Sequence, residues 1–233
     1  MSPLRPRADP WAQDPSVLYV RPSVSVLGAD FGRRELGQIA LASAALVAIF
    51  ACGLSRGVAA PGFLLGVIVR LPVALVACVP TFFVSIYLQK RVGSAHGCTV
   101  EFQVIPQWLG ISVFFSVLLG FVFAIPGSVQ RFGNLSRIAA GRMAIASPGT
   151  FLAVATPAAA AAFFYGFAPA DYAFFFLITL IQITSLLAVF QMLPFAGFPG
   201  LDIWRWSKVA YSATLAVTVA LVIISQVPGF LFA

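Results

Sequence analysis

The chain has 233 residues, of which 61% are apolar and only 9% carry charge. A soluble domain carries charge on about a quarter of its residues, so this composition excludes a mainly water-facing surface and leaves lipid as the principal covering. The net charge of +7 comes from basic residues scattered between apolar stretches. There is no Lys/Arg run interleaved with aromatics, which argues against nucleic acid and for loops anchored at an anionic membrane face.

Residues 1–30 form a polar arm rich in proline (Pro3, Pro6, Pro10, Pro15, Pro22). They lack the apolar run of a secretory signal, so the first span is expected to act as an uncleaved insertion signal and the arm to lie extended. Residues 31–233 are expected to form one membrane domain. Since about twenty apolar residues cross a bilayer as a helix, spans are predicted near 36–54, 62–88, 144–167, 172–193 and 209–232. The second holds Pro72 and Pro80, tolerated where neighbours satisfy the freed carbonyls. Cys98 to Phe102 alternates weakly and reads as a short strand.

The apolar stretch 104–125, bounded by Pro106 and Pro126, is decided by charge. If it crosses, basic residues divide almost evenly between the two sides. If it enters and leaves on one side, twelve basic residues share that side and Arg56 stands alone opposite. Basic residues concentrate in cytoplasmic loops. The expectation is therefore five full spans and one re-entrant segment, with the N-terminus cytoplasmic and the C-terminus outside, in the cell membrane. Cys52, Cys78 and Cys98 match no disulfide or zinc spacing.

The order of the loop motifs resembles the site-2 protease family of intramembrane zinc metallopeptidases, in particular its short archaeal-type members. The blocks that carry it are Phe31-Gly32-Arg33-Arg34-Glu35-Leu36 at the first span, Gly97-Cys98-Thr99-Val100-Glu101-Phe102 after the second, and Gly120 to Val129 with Pro126 and Gly127. Two more are Ala146-Ser147-Pro148-Gly149-Thr150 and Leu193-Pro194-Phe195 running to Pro199-Gly200, followed by Arg205-Trp206. The resemblance implies an all-α polytopic membrane protein, a site-2-protease-like helical bundle with a small β element near the cytoplasmic face.

It also implies a zinc ion held by the two histidines of HExxH and by a distant Asp, with the Glu activating water. Counting back from Gly97-Cys98 puts those positions at Ser85, Ile86 and Gln89, and the Asp of the family's LDG motif falls at Pro199. The ligands and the base are replaced, so no cofactor is expected and these are vestigial positions. His96, Cys98, Glu101 and Asp202 are the remaining potential ligands, and they do not form a zinc pattern. No pair of carboxylates, Ser–His dyad or mid-span lysine offers another intramembrane chemistry.

Three polar residues inside the spans stand out. Arg70 either snorkels outward or meets a partner subunit, since an intramembrane charge suggests function. Gln182 and Gln191 are expected in interhelical hydrogen bonds. The Ala158 to Ala162 run reads as a close-packing helix face. The functional expectation is a non-catalytic relative, a pseudoprotease. It would bind a transmembrane helix in the former substrate groove or serve as an accessory subunit, its partners being lipid and another membrane protein. The alternatives are a peptidase with unusual ligands, and a small transporter or channel, suggested by Arg70 and the proline-broken second helix.

Overall fold

The computed structural model describes residues 23–133, 135–166, 171–195 and 197–231. Most of the predicted arm, residues 1–22, lies outside the described residues. Its tail is a hairpin that the sequence did not announce: β1 (Ser23–Val26) pairs antiparallel with β2 (Ala29–Gly32) through a turn at Leu27–Gly28. α1 (Arg33–Gly53) and α2 (Phe63–Ala95) follow. Then come β3 (Thr99–Val104), α3 (Pro106–Leu119) and β4 (Gly127–Phe132). α4 (Arg137–Tyr165), α5 (Tyr172–Gln191), the short α6 (Pro199–Trp206) and α7 (Lys208–Leu231) complete the chain.

Five of these helices, α1, α2, α4, α5 and α7, are long and apolar enough to cross a membrane. With two small two-stranded sheets beside them among the described residues, the protein is an all-α polytopic membrane protein. α4 begins at Arg137, ahead of the predicted start near residue 144, because Ser136 caps it by accepting the Ala139 N–H at 3.2 Å. Residues 199–206, between the predicted spans 172–193 and 209–232, are helical with Pro199 at the helix start.

α3, at 14 residues, is about 21 Å long, short of a hydrocarbon core of about 30 Å. The chain returns through non-helical backbone, Gly120 to Pro126. β3 and β4 pair in register from Thr99↔Phe132 to Val104↔Gly127, so the excursion 104–125 leaves and returns at one place. Its far end reaches the loop after α1: the Val58 N–H donates to the Val117 carbonyl at 2.8 Å. Gly57 and Gly120, both with positive φ, meet there so closely that a Cβ on Gly120 would lie 2.3 Å from the Arg56 carbonyl carbon.

The basic residues sort by end of the bundle. Arg91 donates to the Gly28 carbonyl at 3.5 Å and Tyr87 to the Leu27 carbonyl at 3.1 Å, joining the C-terminal end of α2 to the hairpin. Arg33, Arg34, Lys90, Arg131, Arg137, Arg142, Arg205 and Lys208 sit on elements that meet at this same end. Arg56 lies at the opposite end, with Arg70 a short way into α2.

Apolar side chains in lipid gain little from leaving it, so packing quality holds such a bundle together. Small residues set the helix approach: Ala42, Ala51, Ala74, Ala77, Cys78 and Ala188 are fully buried. Leu46, Phe50, Phe82, Ile86, Phe151, Ile183 and Leu187 fill the space between them. Ala158 and Ala162 pack against Phe174 and Ile181. Leu64, Leu65, Ile68 and Phe163 stand exposed, an outward apolar surface suited to lipid.

Candidate functional site

The last turns of α2 carry the centre. Ser85 and Gln89 are one helical turn apart and share a face, and both are buried. The Gln89 amide donates to the Ser85 carbonyl at 3.3 Å. The Ser85 and Ser147 hydroxyls lie 3.0 Å apart, joining α2 to α4. Phe102 of β3 closes the cavity beside Phe82, their rings edge to face at 5.4 Å. Gly127 and Ser128 of β4, Gln191 at the end of α5, and Gly197 and Pro199 at the start of α6 complete the lining.

All four positions singled out from the sequence, Ser85, Ile86, Gln89 and Pro199, thus line one cavity of about 20 Å³. That is room for about one water molecule. Ser147, Ser128 and Gln191 join them. Ser147 lay inside a quoted motif but carried no signal of its own. Ser128 is brought in by the β3–β4 register, which sequence spacing did not give.

The donor set does not fit zinc. A serine hydroxyl, a carboxamide and a proline ring stand where two imidazoles and a carboxylate are needed. Among the described residues, no three His, Cys, Asp or Glu side chains come together. Asp202 is held 2.8 Å from Arg131. His96 bonds the Val92 carbonyl at 2.8 Å through Nδ1, and the Cys98 thiol donates to the Phe132 carbonyl at 3.3 Å.

The remaining motif residues lie outside the cavity lining, in the elements that carry it. Gly97 has φ +73° and makes the turn from α2 into β3; Glu101 lies opposite Gln130 in the sheet. Buried Pro126 precedes Gly127, where a Cβ would lie 2.3 Å from the Gln103 carbonyl oxygen. Pro148 and Thr150 are buried in α4, with the Thr150 hydroxyl donating to the Ala146 carbonyl at 2.7 Å. Pro194 follows α5, exposed, and buried Gly200 packs on the Met192 carbonyl.

Next to the small cavity lies an apolar one of about 350 Å³, lined by Ile105, Trp108, Phe123, Ile125, Leu193, Phe195 and Phe198. The two share Gly127, Ser128 and Gly197. One wall is the backbone that returns from α3 to β4. Among the described residues, the N–H groups of Val122, Phe123, Ala124 and Ile125 make no hydrogen bond. Extended backbone beside a span is costly unless protein or a partner pairs it.

A buried ion pair braces the floor. Lys90 Nζ lies 2.5 Å from Glu35 Oε2, and the other Glu35 oxygen accepts the Phe102 N–H at 2.9 Å. Lys90 also sits 4.4 Å from the centre of the Phe31 ring. One carboxylate thereby fixes α1, α2 and β3, the strand that carries Phe102 to the cavity.

The three mid-span polar residues part company. The Gln182 amide donates to the Ser225 carbonyl of α7 at 3.0 Å. Gln191 lines the small cavity and makes no hydrogen bond among the described residues. Arg70 donates to the Gly66 carbonyl at 3.4 Å and lies 5.5 Å from the Phe175 ring centre on α5, which engages its charge within the chain.

Comparison with protein-family models, with curated proteins and with solved structures returned no match.

Proposed function

We propose that this is a non-catalytic, site-2-protease-like integral membrane protein that binds a transmembrane segment as an accessory or scaffolding subunit of a membrane complex. The observation that carries the reading is the meeting of two cavities. The positions where the family resemblance puts the zinc site line a small cavity of about 20 Å³ without metal-binding side chains, and an apolar groove of about 350 Å³ lies beside it. On the family resemblance, a replaced donor set favours holding a segment over cutting it.

The groove suits an apolar chain. Its walls are Ile, Phe, Leu and Trp, and the N–H groups of residues 122–125, without a hydrogen bond among the described residues, can donate to a segment that enters partly unwound.

The test places a photo-crosslinking amino acid at Phe195 or Trp108, in the groove, and at Leu64, on the lipid-facing surface of α2. Crosslinks to a spanning segment of one membrane protein from the groove positions alone support the reading. Zinc near one equivalent in the purified protein, together with cleavage of a membrane substrate, overturns it in favour of a peptidase with unusual ligands. Only lipid adducts from all three positions also overturn it.

A further inference from the structure

A third cavity, of about 440 Å³, opens where β4, the start of α4 and α6 meet, and Arg131, Arg137 and Arg205 line it with Asp202. Asp202 is committed to Arg131 at 2.8 Å. Among the described residues, Arg137 and Arg205 have no acidic partner. Arg137 is the first residue of the 29-residue α4, whose N-terminus carries the positive end of the helix dipole. Like charges have therefore been gathered on a site that repels itself, and an anion from outside the chain relieves it.

Its depth identifies the anion. α4 is longer than the roughly twenty residues that cross the hydrocarbon, and the charges of Arg137 and Arg142 in its first turns fit the headgroup region rather than the hydrocarbon. α6 packs there: a Cβ on Gly141 would lie 2.2 Å from the Trp206 side chain, so the two helices touch. Trp204, with Lys208 5.5 Å from its ring centre, is typical of the membrane–water boundary. Arginine forks match phosphate oxygens, and basic pockets between spans on the cytoplasmic side take anionic headgroups.

We infer that this arginine pocket binds the phosphate of an anionic phospholipid headgroup. The site is separate from the groove and stands whether or not the groove binds a segment.

The experiment uses the full chain in detergent with equal amounts of phosphatidylglycerol and phosphatidylcholine, counting retained lipids by native mass spectrometry. One phosphatidylglycerol is expected to be held in preference. The R137Q/R205Q variant should reduce that preference about tenfold to thirtyfold, while R137K/R205K restores part of it. The R33Q/R34Q variant, with the same loss of charge elsewhere at this end, leaves it unchanged. Melting of each variant confirms folding. A parallel arm titrates inorganic phosphate. Stabilisation by phosphate that displaces the lipid and fails in R137Q/R205Q keeps the phosphate chemistry but assigns a soluble source. Equal retention of the two lipids with no effect of phosphate, or an unchanged preference in folded R137Q/R205Q, overturns the inference.

Discussion

Lys90 and Glu35 face each other 2.5 Å apart, with side chains only 6% and 5% exposed, and the Glu35 carboxylate also receives the Phe102 N–H. Losing one member of a buried pair strands the other charge, at a cost of about 3–5 kcal/mol. Lys90→Met alone is therefore expected to lower stability by that amount in unfolding measurements in detergent. The E35Q/K90M double variant should recover most of the loss, because the amide oxygen still accepts from Phe102 and no charge remains buried. A double variant as unstable as K90M would show that the pair acts through more than its charge.

What the sequence disclosed and what it hid divide along physical lines. Long apolar runs declare spanning helices because a lipid-covered helix has no alternative backbone pairing. The asymmetry of the basic residues pointed to an excursion 104–125 that returns to its own side, and the β3–β4 pairing brings its two ends together. The β1–β2 hairpin lay hidden in a proline-rich arm. Ser128 reached the cavity through strand register, and Lys90 found Glu35 across 55 positions of sequence. Such long-range pairings depend on tertiary packing, which no local pattern encodes. Arg70 drew attention as a charge inside a span, yet its partner is an aromatic ring, and aromatics are too common here to signal one.

The sidedness of the bundle has a direct readout. Val58 is 49% exposed at the end that holds Arg56, and Ser94 is exposed at the opposite, basic end of α2. In a background with Cys52, Cys78 and Cys98 replaced, V58C is expected to react with a membrane-impermeant maleimide on intact cells. S94C should react only after permeabilisation, as the positive-inside bias requires. The reverse labelling would invert the orientation.

Gly200 seats α6 on the end of α5. A Cβ there would lie 2.3 Å from the Met192 carbonyl oxygen, and that oxygen also accepts the Tyr211 hydroxyl at 2.9 Å. Backbone cannot yield as a side-chain tip can, so Gly200→Ala is expected to cost about 1–3 kcal/mol. Tyr211→Phe should cost about 1 kcal/mol through the lost hydrogen bond. Because both act on one carbonyl, the double variant should fall short of the sum. Full additivity, measured by unfolding, would mean that the contacts are independent.

Asp171 gives the fold a pH response at the α4–α5 connection. Its carboxylate caps α5 by accepting the Ala173 N–H at 2.9 Å and also accepts the Tyr165 hydroxyl. These bonds, the tyrosine's first, hold its pKa below the ordinary carboxylate value. A depressed folded pKa means that the stabilisation is present at neutral pH and disappears as pH falls through that value. Asp171→Asn should therefore destabilise at pH 7 and have less effect in strong acid. An effect that is the same at both pH values would remove the carboxylate as its source.

The arrangement around Ser85 allows a constructive test of the family resemblance. Ser85 and Gln89 share a helix face, and Pro199 lines the same cavity. If these positions descend from a zinc site, the S85H/Q89H/P199D variant should supply two imidazoles and a carboxylate with one coordination position left open. The expected outcome is zinc at about one equivalent by metal analysis of the purified variant, with no such zinc in the parent chain. Binding at this site also raises the melting temperature by mass action, and a chelator should reverse the gain. Ile86→Glu, added to that variant, places a base beside the metal and should yield slow hydrolysis of an apolar peptide. A triple variant that folds yet takes no zinc would count against the resemblance, because the donors would then be present without the geometry that a shared ancestor implies.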